Sequence, residues 1–371
     1  MITAKKIVCK ECGLEYELNE IVNRCRICYG SLDIVFDYDE IKKIISKESF
    51  IKERPTHWKY WMFYPVDSKK AVTLGEGGTQ LLRSEKFGFE NLFLKIETTN
   101  PTGSFKDRGS SVEITRAVEI KAKDVCCAST GNMGISIAAY SSRAGMKANV
   151  FLPRKVSTQK IKKINMLGAR VFRVNGDYTK ALEACEKFSK KTGAHIVGDY
   201  PFRGEGQKSV GFEIADQFEF SSPDYVVCPM GNGTLIYSVW DAFLDMKEVG
   251  LIDNLPAMVG IQASGCSPIV NAWKRGEDNI SPIKKSRTIA SAIDCPNPLD
   301  GIKALEAINK SNGIAEVVTD KELLKTRELL ARKEGIIAEL AGVASICGAL
   351  KLKKDLEGKI VCIISGSNIE F

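Results

Sequence analysis

The chain has 371 residues, of which 44% are apolar and 27% charged, with a formal charge of +7. That length allows two or three domains, and no run approaches the roughly 18 uncharged apolar residues of a membrane helix. The N-terminal MITAKKIVCKECG lacks the apolar stretch of an export signal, so a cytoplasmic location is expected. The positive charge comes from lysines scattered along the chain, which reads as a solvated surface and not as a nucleic-acid face.

Residues 1–36 form the first module. Cys9 and Cys12 are separated by two residues, as are Cys25 and Cys28, with twelve residues between the pairs. Four thiolates at this spacing can close tetrahedrally on Zn²⁺ as a structural ribbon. So short a module has little core, and the metal would supply its folding energy. The other eight cysteines sit among apolar neighbours, as at Cys126–Cys127, Cys228, Cys347 and Cys362, and read as buried free thiols in a reducing compartment. Residues 37–71 are aromatic-rich, with His57-Trp58-Lys59-Tyr60-Trp61, and are expected to be a connecting arm packed on the main body.

From Val72 onward strand-like runs alternate with helical periods. The strands are expected at Leu92–Ile96, Val125–Ala128, Ala148–Leu152, Arg170–Val174, Tyr225–Cys228, Val259–Gln262 and Lys359–Ile364. Helices are expected at Ile135–Ala144, Thr179–Lys191, Ser209–Phe218 and Lys321–Lys333. Gly145, Gly168 and Gly193 follow helical stretches, where C-caps need them. This alternation predicts an α/β protein with mostly parallel sheets flanked by helices.

Four segments carry chemistry. Asn100-Pro101-Thr102-Gly103-Ser104-Phe105-Lys106-Asp107-Arg108-Gly109 leads from a strand into a helix and puts Lys106 in the first helical turn. The helix dipole there disfavours a cation and favours the neutral amine, as a Schiff-base lysine requires. Ser129-Thr130-Gly131-Asn132-Met133-Gly134 is a second strand-to-helix turn, suited to a carboxylate or phosphate. Pro229-Met230-Gly231-Asn232-Gly233-Thr234 offers glycines that can curl round a phosphate, without the Gly-Lys-Ser/Thr of a P-loop. Ser365-Gly366-Ser367-Asn368 ends the last strand, where α/β folds gather ligands. His57 and His195 are the only histidines, and nothing in the sequence pairs either with a nucleophile; Cys295, in Asp294-Cys295-Pro296, is not read as one.

In this order the four segments resemble the fold type II pyridoxal-phosphate enzymes, and the lysine decapeptide specifically resembles threonine synthase. The resemblance runs from about Thr73 to the C-terminus. It takes in Gly75-Glu76-Gly77-Gly78-Thr79, Tyr140-Ser141-Ser142-Arg143-Ala144-Gly145 and Glu205-Gly206-Gln207-Lys208-Ser209, and the four-cysteine ribbon is similar to that of many threonine synthases. It implies a large cofactor domain from residues 72–122 and 202–371, a small domain at 123–201, and a homodimer. Pyridoxal 5′-phosphate would form a Schiff base with Lys106, the base that moves the α-proton, beside Phe105. Asn132 would meet the cofactor's ring oxygen, Gly231, Asn232, Gly233 and Thr234 its phosphate, and Ser365 the pyridine nitrogen. Ser129, Thr130 and Gly131 would take the carboxylate of a small amino-acid substrate, and Arg203 would clamp a substrate phosphate.

The implied activity is that of a lyase turning O-phosphohomoserine and water into threonine and phosphate. Two departures bear on the substrate. Where threonine synthases usually carry Asn-Ser-x-Asn-Pro, this chain reads Val197-Gly198-Asp199-Tyr200-Pro201. Its Ser-Gly-Ser-Asn ending is similar to that of serine and threonine dehydratases. The alternatives are therefore β-replacement on O-phosphoserine, as in cysteate synthase, and dehydration of serine or threonine. A zinc-ribbon nucleic-acid-binding protein is the alternative from another class, and it predicts salt-sensitive binding and no chromophore.

Overall fold

The computed structural model describes residues 2–47, 50, 56–129, 131–154, 156–176, 178–198 and 201–367. The chain divides into two compact units, Met1–Gly77 with Lys106–Ser209, and Gly78–Phe105 with Val210–Ile369.

The first unit opens with an antiparallel three-stranded sheet made of β1 (Ala4–Cys9), β2 (Glu15–Glu17) and β3 (Leu32–Phe36), in the order β2-β1-β3. Its main sheet is parallel and ordered β8-β7-β6-β9, from β6 (Asp124–Ala128), β7 (Lys147–Pro153), β8 (Arg170–Val174) and β9 (His195–Ile196). Alternate residues of β6 serve opposite faces, as the strand period requires. Val125 and Cys127 join Ile137, Val150, Leu152 and Ile164 in one core, while Cys126 and Ala128 join Phe151, Ala181 and Cys185 in another. Burial on both sides explains why β6 is a continuous apolar run and why its two cysteines are inert packing thiols. Helices Asn132–Arg143, Thr158–Met166 and Tyr178–Thr192 cover the sheet. Gly145, Gly168 and Gly193 end them with φ of +69°, +83° and +76°.

The aromatic arm belongs to this unit and is bonded to it as well as packed. His57, at 0% exposure, lies 2.8 Å through Nε2 from Oε1 of Glu76, also at 0%. The Trp58 indole N–H donates to Glu76 (3.1 Å) and to Ser111 Oγ (2.9 Å), and Tyr140 donates to Glu76 (2.7 Å). Burial alone would raise the Glu76 carboxyl. The His57 charge and the hydrogen bonds from His57, Ser111 and Tyr140 outweigh it and hold the carboxyl well below its ordinary range. The histidine that had no partner in the sequence is thus the arm's anchor.

The second unit holds a six-stranded sheet ordered β12-β11-β10-β13-β5-β4. Its strands are β4 (Leu81–Ser84), β5 (Asn91–Ile96), β10 (Tyr225–Pro229), β11 (Ala257–Ala263), β12 (Ile314–Val318) and β13 (Lys359–Ile364). All pair in parallel except β4, which runs antiparallel to β5 at the edge. Leu92, Leu94, Val227, Val259, Ile261, Ile346 and Ile364 meet in its core. Two charges are buried with them, Lys95 donating to Glu213 at 2.8 Å and to Gln217 at 2.8 Å. Helix Lys106–Glu119, expected with the larger body, is instead part of the first unit, where it packs against helix Pro201–Gln207. The close approach uses two glycines of the quoted motifs, Gly109 and Gly206. A Cβ on Gly206 would lie 2.3 Å from the Arg108 carbonyl oxygen, and one on Gly109 would lie 2.6 Å from Arg203 Cγ.

Candidate active site

The turn before Lys106 is built in the second unit. The Gly103 N–H donates to Asn100 O (2.8 Å), and the Asn100 amide donates to Glu97 Oε2 (2.8 Å), which closes the turn after β5. Ser104 pairs antiparallel with Gly366, the Phe105 N–H donates to Ser365 O (3.1 Å), and the Ser367 N–H donates to Gly103 O (2.9 Å). Phe105 and Ser365 are thereby brought together, as backbone neighbours. Helix Lys106–Glu119 starts at the next residue, and Lys106 itself is half-buried.

In the first unit the carbonyl of Lys106 receives the Arg203 Nη2 donor at 3.2 Å. Arg203 is fully buried, and its guanidinium is committed to Glu113, with Nη1 2.6 Å from Glu113 Oε2. Both terminal nitrogens also lie 3.4 Å from Ser110 Oγ. Ser136 Oγ is 2.7 Å from Ser110 Oγ and donates to Asp107 Oδ1 at 2.6 Å. Arg203, the expected phosphate clamp, is thus paired with a carboxylate of the chain itself. The sequence reading missed Glu113. The signal was available, since Ser110 and Glu113 follow Lys106 at helical spacings of four and seven and share its face.

Ser129 is fully buried, and its Oγ accepts the N–H groups of Gly131 (3.0 Å) and Gly134 (2.8 Å). The hydroxyl thus shapes the turn from β6 into helix Asn132–Arg143, which begins at the nearly buried Asn132. Thr130 lies outside the described residues.

The glycine loop of the second unit follows β10 and opens helix Thr234–Glu248. Gly233 precedes the helix at φ +98°, where a Cβ would stand 2.7 Å from the Asp300 carbonyl oxygen. Its N-cap, Gly233, makes no side-chain cap hydrogen bond, as a glycine must. A Cβ on Gly231 would meet Ala292 O at 3.1 Å. The polar side chains of the loop turn to Asp300, another residue the sequence reading passed over. Thr234 Oγ1 donates to Asp300 Oδ2 at 2.7 Å and Asn232 Nδ2 at 3.0 Å. Asn232 Oδ1 accepts the Leu299 N–H (2.6 Å), and the half-buried Cys295 thiol lies 3.9 Å from it.

The sulfurs of Cys9, Cys12, Cys25 and Cys28 all lie within 4.8 Å of one another. Burial acts to raise the Cys25 thiol, but the N–H groups of Cys28 and Ile27 and the Tyr16 hydroxyl outweigh it and bring it down to about 6.

A family model described as pyridoxal-phosphate dependent enzyme matches residues 72–366. The chain belongs to that family. The match begins after the cysteine ribbon and the arm, and it includes the first three chemistry-bearing segments and Ser365-Gly366 of the fourth. The chain is 43% identical to the threonine synthase of Methanocaldococcus jannaschii over 373 residues, which covers 98% of this chain and 92% of that one. It is 37% identical to the threonine synthase of Synechocystis over 84% of its length and 82% of the relative's. Among solved structures, maize serine racemase superposes with a TM-score of 0.69 at 21% identity, over 79% of this chain and 89% of that one. Threonine deaminase isoform 2 of Solanum lycopersicum gives 0.68 at 23%, over 79% and 84%. These structural likenesses establish the fold that the family members share.

Proposed function

We propose that the chain is a pyridoxal-phosphate dependent lyase that converts O-phosphohomoserine and water into threonine and phosphate. The observation that carries this reading is the 43% identity to a threonine synthase along 98% of the chain. The residues present fit the cofactor. An uncapped helix N-terminus behind a left-handed glycine is an anion site of the kind a cofactor phosphate takes, and a half-buried lysine opens the first turn of another helix.

Lys106 would hold the cofactor, with Phe105 and Asn132 positioning its ring and Ser365 facing the pyridine nitrogen. Gly231, Asn232, Gly233 and Thr234 would hold its phosphate through backbone N–H groups, and Asp300 would fix the Asn232 and Thr234 side chains. When bound, the group supplies an electron sink for the substrate's α-carbon. Lys106 Nζ would then take the α-proton and carry it between carbon atoms, while the Ser129–Gly131 turn orients the substrate carboxylate. A hydroxyl at Ser365, unlike a carboxylate, would not hold the pyridine nitrogen protonated, which would make the sink weaker and suit elimination better than transamination.

The four cysteines would hold Zn²⁺ structurally, since all four positions of a tetrahedral site are filled by protein. A homodimer in the cytoplasm completes the proposal. Among the described residues, no helix is long and apolar enough to cross a membrane.

The test is side-by-side phosphate release from O-phosphohomoserine and O-phosphoserine, with threonine and sulfite-adduct analysis. Threonine from the first substrate is expected. Turnover of neither, with 2-oxo acid formed from threonine, rejects the reading. Bleaching of the visible colour by borohydride, with the label recovered at Lys106, is expected in either case and separates both readings from a nucleic-acid-binding protein. Loss of one zinc per chain on chelation, with unfolding of residues 1–36, is the expected outcome for the ribbon.

A further inference from the structure

Arg203 and the Gly198 N–H form a receptor for an anion, and in this chain the anion is internal. Glu113 Oε2 stands 2.6 Å from Arg203 Nη1, and Glu113 Oε1 accepts the Gly198 N–H at 2.8 Å. A guanidinium and a backbone amide converging on two oxygens is the donor set that proteins also offer to phosphate. Glu113 is 3% exposed and Arg203 0%, so water screens the pair little. The parts belong together. Gly198 takes φ +138°, a value a side chain would strain, and so turns its N–H toward Glu113. Val197 beside it offers no side-chain donor.

We propose that Glu113 is a specificity-determining residue: its carboxylate occupies the anion position of Arg203 and Gly198 and closes it to the phosphate of the substrate. The proposal rests on the reading that the substrate is phosphorylated. Arg203 becomes a strut, passing from Glu113 to the Lys106 carbonyl at 3.2 Å, and recognition of the leaving phosphate is independent of its charge. A small cavity of about 20 Å³, lined by Glu113, Arg116, His195, Val197 and Phe202 among others, adjoins the pair.

The test compares wild type, Glu113→Ala and Glu113→Gln as holoenzymes in inorganic phosphate and in chloride at equal ionic strength. Removing the carboxylate vacates the receptor, so phosphate is expected to raise the unfolding midpoint of Glu113→Ala more than that of wild type. The inhibition constant of phosphate against threonine formation is expected to fall at least about fivefold, the scale of a recovered charge-assisted hydrogen bond. Adding Arg203→Met to Glu113→Ala should remove both effects. Glu113→Gln keeps the side-chain shape and so keeps the position filled, and it should lack the phosphate response; Glu113→Ser, small and neutral, should reproduce it if the alanine variant folds poorly. A phosphate gain in Glu113→Ala or Glu113→Ser no larger than in wild type, or an equal gain in Glu113→Gln, overturns the proposal. Absence of phosphate release from O-phosphohomoserine by the wild type would sink the functional reading instead, while the unfolding midpoints would still judge Glu113.

Discussion

Replacing Gly206 by alanine tests how Lys106 is held. The new Cβ would fall 2.3 Å from the Arg108 carbonyl oxygen and 2.9 Å from both the Arg108 carbonyl carbon and Gly109 Cα. Non-bonded contacts settle near 3.5 Å, so helices Lys106–Glu119 and Pro201–Gln207 must part by about 1 Å. Every atom in the way is backbone, which cannot rotate aside. The cost should therefore reach the upper end of overpacking, about 3 kcal/mol. Gly145→Ala is the control, because nothing lies within 4 Å of its Cβ and only its φ of +69° opposes the change, for about 1 kcal/mol. Urea unfolding should show a midpoint loss for Gly206→Ala about three times that of Gly145→Ala, with an unchanged slope. Because Arg108 is two residues from Lys106, kcat for threonine formation should also fall, by up to about 100-fold for a 1 Å displacement. If Gly206→Ala loses no more stability than Gly145→Ala, the helices are not in close contact there and the reasoning fails.

Acid should weaken the fold through His195. Its burial, with the charge of Arg116, lowers its pKa to about 4, against roughly 6.5 in an unfolded chain. The folded form stays neutral while the unfolded form takes a proton, so stability is full above pH 6.5 and falls as the pH drops toward 4. After allowance for partial exposure the loss is about 2 kcal/mol. Stability curves of His195→Gln should be flatter than wild type between pH 6.5 and 4.5, above the window in which the depressed Glu76 carboxyl takes effect; parallel curves would contradict this. Asp300→Ala should release the Asn232 and Thr234 side chains and weaken cofactor affinity at least about tenfold, from the loss of charged hydrogen bonds. Titration of the apoenzyme with pyridoxal 5′-phosphate measures it, and an unchanged Kd would remove Asp300 from the loop's design.

The parallel sheets were legible because strands buried on both faces are written as short, unbroken apolar runs. Tyr225–Pro229 and Lys359–Ile364 were placed almost to the residue for that reason. Strand Ile314–Val318 was missed because Glu316 interrupts its pattern, and β4 because an edge strand with Arg83 outward has only one apolar face. Loops that resemble a known family could be named, yet their supports could not. Glu113 and Asp300 are ordinary acidic residues in sequence and become part of the site only when folding brings Arg203 and Thr234 to them. Arg203 shows the reverse case, since a motif carries the arginine without stating what neutralises it.

The ties from Ser104 and Phe105 to Gly366 and Ser365 have a consequence for assembly on the ribosome. They join positions about 260 residues apart in the chain, so the bend before Lys106 stays open until residues 365–367 have been made. Contacts of such sequence separation close late. A chain made only through its first parallel sheet can fold that sheet but lacks these ties, so the seat proposed for the cofactor would be finished late.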